Sequence, residues 1–119
     1  MVWLNTKIVI PDSVTTIGRG AFSSCDNLES AYVSAGVTSM DYSMFASCIN
    51  LTTVTIGDGA TVIGSQMFSG CTKLTSIHIP NSVTSIGYSA FSNCTSLASI
   101  NIPESVTSIS NSVFYNCTN

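Results

Sequence analysis

The sequence predicts a β-rich solenoid, five 23-residue coils of short parallel strands with single helical turns, and three periodicities predict it. Cys25, Cys48, Cys71, Cys94 and Cys117 stand 23 residues apart, and Phe22, Phe45, Phe68, Phe91 and Phe114 keep the same step. The aliphatics follow, in rows such as Ile8, Ala31, Val54, Ile77, Ile100 and Ile17, Met40, Ile63, Ile86, Ile109. A fixed period in the twenties marks a stacked-repeat architecture. Each unit is too short to bury its own apolar residues and must bury them against its neighbours, in one continuous core. If the coils pair as parallel strands, equivalent residues form ladders with rungs about 4.8 Å apart.

In chain order, residues 1–4 lie outside the count and read as a minimal N-terminal cover or as the remnant of a preceding repeat. The solenoid then occupies 5–119 as repeats 5–27, 28–50, 51–73, 74–96 and 97–119, the second being the most divergent. Within a repeat, Leu74, Ile77 and Ile79 alternate at the end with polar residues, the period of a strand with one buried face. Pro80 and Pro103 follow and end the strand, because proline cannot donate to a ladder. Val83 to Ile86 is a second, shorter extended segment, β-branched and hydroxyl-rich. Gly18, Gly64 and Gly87 are expected to turn the chain. Ala90, Phe91 and Cys94 then have the three-residue spacing of a single helical turn.

Composition excludes several function classes. Charged residues make up 8% of the chain, against roughly 25% in ordinary domains, and Ser, Thr and Asn take their place. The net charge is −3, with Lys7, Arg19 and Lys73 as the cations. A nucleic-acid binder needs a basic stripe, which this sequence lacks. No apolar run reaches the ~18–20 residues of a membrane span. The first residues are too short for a signal peptide, so for a secreted parent this stretch is expected to be a fragment or a processed form.

The Leu-x-x-Ile-x-Ile stretch at 74–79 resembles the strand signature of leucine-rich repeats. The fuller unit, with IPNSVTSIG and AFSNC, resembles the BspA-type class of that family, whose repeats are 23 residues long, and the resemblance covers residues 5–119. It departs from the general pattern just after the strand, where Ser13, Gly36, Gly59, Ser82 and Ser105 stand at the usual Asn/Cys position, so no asparagine ladder is expected there. The resemblance implies a microbial cell-surface or secreted protein, with adhesion to host proteins or other cells as the associated role. Fold alone does not carry that function.

Candidate functional residues follow from the strand alternation. The outward row is Val9, Tyr32, Thr55, His78 and Asn101, and its neighbour row is Lys7, Ser30, Thr53, Ser76 and Ser99. Solenoids commonly bind partners on this face, and Tyr32 and His78 are the expected anchors, since aromatic side chains are enriched at interface hot spots. No nucleophile with an orienting acid–base pair stands out, so no enzyme is expected. The five cysteines lack metal-binding spacings and an even count, and read as small buried hydrophobes; no metal or other cofactor is expected. Asp12, Asp58, Asn81 and Glu104 suit turns after the strand rather than a shared calcium. The threonine row Thr15, Thr38, Thr61, Thr84, Thr107 fits β propensity better than an ice-binding surface. Asn50, Asn93 and Asn116 begin glycosylation sequons.

The last repeat closes in mid-pattern, which leaves Phe114, Val106 and Ile102 open on one side. Three explanations compete: a fragment of a longer array, an end-to-end dimer, or a stack growing head to tail. The function expected is therefore a non-enzymatic protein-interaction or adhesion module acting through its strand face. The alternative is a structural protein that self-assembles end to end.

Overall fold

The computed structural model describes residues 2–3, 6–37, 39–40 and 42–118. The chain winds into stacked coils with one parallel sheet along one side. That sheet runs β1 (Val2–Trp3), β2 (Lys7–Ile10), β4 (Ser30–Val33), β6 (Thr53–Ile56), β8 (Ser76–His78), in that order. β2, β4, β6 and β8 pair in parallel with a constant 23-residue offset: Ile8 opposite Ala31, Ala31 opposite Val54, Val54 opposite Ile77. β1 is the exception and lies antiparallel to β2, with Val2 opposite Val9 and Trp3 opposite Ile8. The second extended segment forms two smaller parallel sheets: β3 (Thr16–Ile17) with β5 (Ser39–Met40), and β7 (Val62–Ile63), β9 (Ser85–Ile86) and β10 (Ser108–Ile109).

The alternation burying Ile8 and Ile10, Val33, Val54 and Ile56 sends every second strand residue inward. These meet Leu28, Leu51 and Leu74, the methionines Met44 and Met67, and the phenylalanine column in one core. Neighbouring Phe rings are stacked, with centroids 5.4–5.8 Å apart and planes within 18°. Such contacts add about 0.5–1.5 kcal/mol per pair beyond area burial.

The third side of each coil differs from the expected helical turn. Among the described residues there is no helix; residues 88–93 form a run of turns, as do their counterparts. Alternate amides bond locally: Ala90 N–H to Gly87 C=O, Ser92 N–H to Ser89 C=O, Cys94 N–H to Phe91 C=O. The amides between them point along the solenoid axis. Ser89, Phe91 and Asn93 donate to the carbonyls of Asn111, Val113 and Tyr115 in the next coil, at 2.8–3.1 Å. Coils 1 to 3 repeat the arrangement, as in Phe22 to Met44, Phe45 to Met67 and Phe68 to Ala90. A left-handed residue at two places per coil redirects the peptides: Gly20 and Ser24, Ser43 and Ser47, Gln66 and Gly70, Ser89 and Asn93, Ser112 and Asn116, all with φ between 54° and 78°. A helix would have consumed these amides within the coil. The turn strip spends half of them on the neighbour, which is what stacking requires.

One of the glycines expected to turn the chain has a further role. Gly87 is not at positive φ; a Cβ there would come within 2.6 Å of the Ser65 backbone nitrogen, so the residue is needed for close approach of coils.

The hydroxyl-rich composition has a structural cause. Thr52 donates to Glu29 C=O, Thr75 to Thr52 C=O, Thr84 to Thr61 C=O and Thr95 to Thr72 C=O, each to the coil before. Neutral donors at one-coil spacing tie rung to rung and leave little use for charge. Ala98 stands where Thr52 and Thr75 stood, and residues 97–102 follow the earlier course without joining the main sheet.

Candidate binding face

The outward residues of β2, β4, β6 and β8 come together as read from the sequence. Lys7, Ser30, Thr53 and Ser76 form one row, and Val9, Tyr32, Thr55 and His78 the next. Lys7, Tyr32, Thr53, Thr55, Ser76 and His78 are exposed; Val9 and Ser30 are half-buried. Ser99 and Asn101 are exposed as well, but no strand carries them, so they do not extend the sheet face. That rung has a described neighbour on one side only.

Across β2, β4 and β6 the face holds a groove of about 360 Å³, lined by Lys7, Val9, Ser30, Ala31, Tyr32, Thr53 and Thr55. Tyr32 stands in it with 42% of its surface exposed. No carboxylate lines it. Ser30, Tyr32, Thr53 and Thr55 hold no side-chain hydrogen bond among the described residues, whereas the threonines at the coil edges are tied to the preceding coil. His78 lies one rung beyond, beside Thr55. Ala31 is the lining residue that sequence reasoning passed over: it points inward, but its small size opens the floor between Ile8 and Val54.

The remaining candidates are structural. All five cysteines are free thiols. Each of the last four donates from Sγ to the carbonyl of the Phe in the preceding coil, Cys48 to Phe22, Cys71 to Phe45, Cys94 to Phe68 and Cys117 to Phe91, at 3.1–3.2 Å. Burial pushes the Cys48 thiol up to about 11 and the Cys94 thiol to about 12, and raises Cys71 too. Such thiols stay protonated and unreactive near neutral pH. The sequence reading as plain hydrophobes therefore missed a donor role, which only the spacing to the Phe carbonyl reveals. Among the described residues no cluster of His, Cys, Asp or Glu could hold a metal ion.

Asp12, Asp58, Asn81 and Glu104 are exposed on turns. The threonine row is described at Thr15, Thr61, Thr84 and Thr107, while Thr38 lies outside the described residues. Of the sequon asparagines, Asn50 donates to Asp26 C=O and accepts from Lys73, and Asn93 accepts from the exposed Asn116. A second cavity, about 210 Å³, opens at the last coil between Leu97–Ile100 and Phe114, where the core ends.

The 23-residue coil with this strand, turn strip and Phe–Cys column matches the sequence profile of the BspA type leucine rich repeat region, with six copies across residues 4–119. The chain belongs to that family. A search of curated proteins found no match. Among solved structures it is similar to a leucine-rich repeat protein of T. pallidum, with a TM-score of 0.91 at 27% identity over 95% of this chain and 55% of that one. A leucine-rich repeat protein of Bacteroides ovatus gives 0.80 at 30% identity, over 94% and 35%. A leucine rich cell surface protein of Faecalibacterium prausnitzii gives 0.72 at 32% identity, over 94% and 36%. This chain thus spans about half or less of the length of these relatives. BspA-type repeats are protein-interaction modules, generally non-enzymatic scaffolds, and typically belong to surface or secreted bacterial proteins. No helix among the described residues is long and apolar enough to cross a membrane.

Proposed function

We propose that this BspA-type solenoid is a non-enzymatic adhesion module of a secreted or cell-surface microbial protein, and that it holds a partner protein on its strand face. The observation that carries the reading is the groove around Tyr32, where an exposed aromatic ring sits among hydroxyls that the fold leaves unbonded. Aromatic anchors of this kind supply much of the binding energy at protein interfaces. The test is site-specific photo-crosslinking on bacterial or host cell surfaces, with the probe at Thr55 on the strand face or at Thr84 on another side. A partner captured from Thr55 alone, whose purified form then loses binding to the Tyr32→Ala and His78→Ala variants, is the expected result. Equal capture from both positions would sink the reading.

End-to-end assembly is the second reading. It draws on the last coil, where Ile109 is half exposed and Phe114 is 37% exposed. The opposite edge is taken by β1 on β2, so a growing stack would have to displace that pairing. The reading expects a mass by light scattering that rises with concentration and a Phe114→Ser variant that stays monomeric. A constant mass would dismiss it.

A further inference from the structure

The groove around Tyr32 carries a more specific demand, which rests on the strand-face reading above. Of the three cations, Arg19 lies over the Tyr42 ring at 4.2 Å and Lys73 donates to Asn50 Oδ1 at 2.9 Å. Lys7 alone among them has no hydrogen bond, ion pair or ring contact among the described residues. It lines a groove that contains no carboxylate, in a molecule whose net charge is −3. An uncompensated cation there is complementary to an anionic group brought by the occupant.

Register sets the geometry. Lys7 pairs across to Ser30, and Val9 to Tyr32, so Lys7 and Tyr32 lie on neighbouring strands two positions apart. Their Cα atoms are then roughly 8 Å from each other, from a 4.8 Å strand spacing and two residues of rise. An extended peptide places side chains i and i+2 on one face, about 6.6–6.8 Å apart, and flexible side chains close the difference. Its backbone amides and carbonyls need partners, and Ser30, Thr53 and Thr55 offer free hydroxyls beside both anchors.

We infer that the groove takes an extended acidic segment of the partner protein, with an Asp or Glu carboxylate on Lys7 and an aromatic or apolar side chain two residues away against Tyr32 and Val9.

The test is a titration of the ¹⁵N-labelled chain with acetyl-Asp-Ser-Phe-amide, its Asn-Ser-Phe counterpart and glucuronate, read from amide shifts. The acidic peptide is expected to shift residues of β2, β4 and β6. Asn in the peptide, or Lys7→Gln in the protein, is expected to weaken binding about tenfold, the scale of one charge-assisted hydrogen bond. Added salt should weaken the acidic peptide further but not its Asn counterpart. Lys7 is exposed, so Lys7→Gln is expected to fold as the parent does, which an unchanged spectrum of the other coils verifies. Equal binding of both peptides at the groove would overturn the acidic inference and leave the strand-face reading standing. Shifts with glucuronate and none with either peptide would overturn it in favour of an acidic saccharide. Peptide shifts confined to residues outside β2, β4 and β6 would overturn both readings together.

Discussion

The first and last coils carry the same repeat and live in different surroundings. In the first, Ile8 and Ile10 have no exposed surface, Ile17 and Phe22 are 8% exposed, and β1 runs along the outer edge of β2. In the last, Phe114 is 37% and Ile109 50% exposed, and Ile100, Ile102 and Val106 are only half-buried. The backbone differs in sign as well. The turn strip donates forward, so the amides of Ser112, Phe114 and Asn116 have no acceptor among the described residues, while at the other end the carbonyls of Arg19, Ala21 and Ser23 have no donor. The turn strip is therefore polar along the axis, with unpaired carbonyls at one end and unpaired amides at the other, while amides such as those of Thr84, Gly87 and Ser110 donate the opposite way, to the preceding coil. The lesson is that a repeat has no stability of its own; the same side chains stabilise in proportion to the neighbours that cover them.

The comparison is tested most strongly by the phenylalanine column. Phe68→Ala removes a ring stacked on both sides with no exposed surface, and is expected to cost about 3–5 kcal/mol in urea unfolding. Phe114→Ala removes a ring stacked on one side and partly wet, and should cost about 1–2 kcal/mol. Equal losses would mean that the last coil is covered in solution.

Alkali probes the thiols in the same way. In the folded chain Cys48 and Cys94 titrate near 11 and 12, against an ordinary value of 9.0, because burial disfavours the thiolate. A raised acid pKa means that stability is full below pH 9 and falls as pH climbs toward the folded values, since only the unfolded chain ionises there. By pH 9.5 the three interior thiols together should cost about 2–3 kcal/mol, from 1.36 kcal/mol per unit of ionisation difference. Cys71→Ala should reduce the slope by about a third, and Cys117→Ala, at the half-buried end, by much less. A flat urea midpoint from pH 8 to 9.5 would contradict the burial of the column.

Amide exchange reads the axial polarity directly. Ser89, Phe91 and Asn93 bond to the next coil, so their amides should exchange about tenfold or more slowly than those of Ser112, Phe114 and Asn116. Matching rates would show that the last coil's donors find acceptors.

The smallest effect sharpens the contrast between an interior flaw and an open end. Ser34 is 2% exposed, and its hydroxyl is the one buried side-chain polar atom without a hydrogen bond among the described residues. Ser34→Ala should raise stability by about 1 kcal/mol, because it removes an orphaned group and leaves no sizeable cavity. A loss in thermal unfolding would mean that the hydroxyl has a partner.

Much of the architecture was legible because a solenoid writes its tertiary contacts into a one-dimensional period. Ile8, Ala31, Val54 and Ile77 are one rung apart in space since they are 23 residues apart in sequence. The outward rows through Tyr32 and His78 followed from simple alternation. The turn strip was not legible. Ser43, Gln66 and Ser89 adopt the left-handed conformation although none is a residue type that advertises it, and the three-residue spacing of Ala90, Phe91 and Cys94 imitates a helical turn. The groove was half legible: its residues were in the chosen rows, but their difference from tied threonines such as Thr52 and Thr75 was not.

By itself, then, the sequence determined the period, the inward and outward rows and the family, because these depend on which side chains must leave water and at what interval. Tertiary structure alone decided where the hydrogen bonds go. It tied Thr52, Thr75 and the cysteine thiols to the preceding coil, sent the turn-strip amides to the following one, and left Lys7, Tyr32, Thr53 and Thr55 free on one face. Burial is a property of a residue type and its spacing. A hydrogen bond also needs a partner brought into direction and reach, and only the stacked coils supply one.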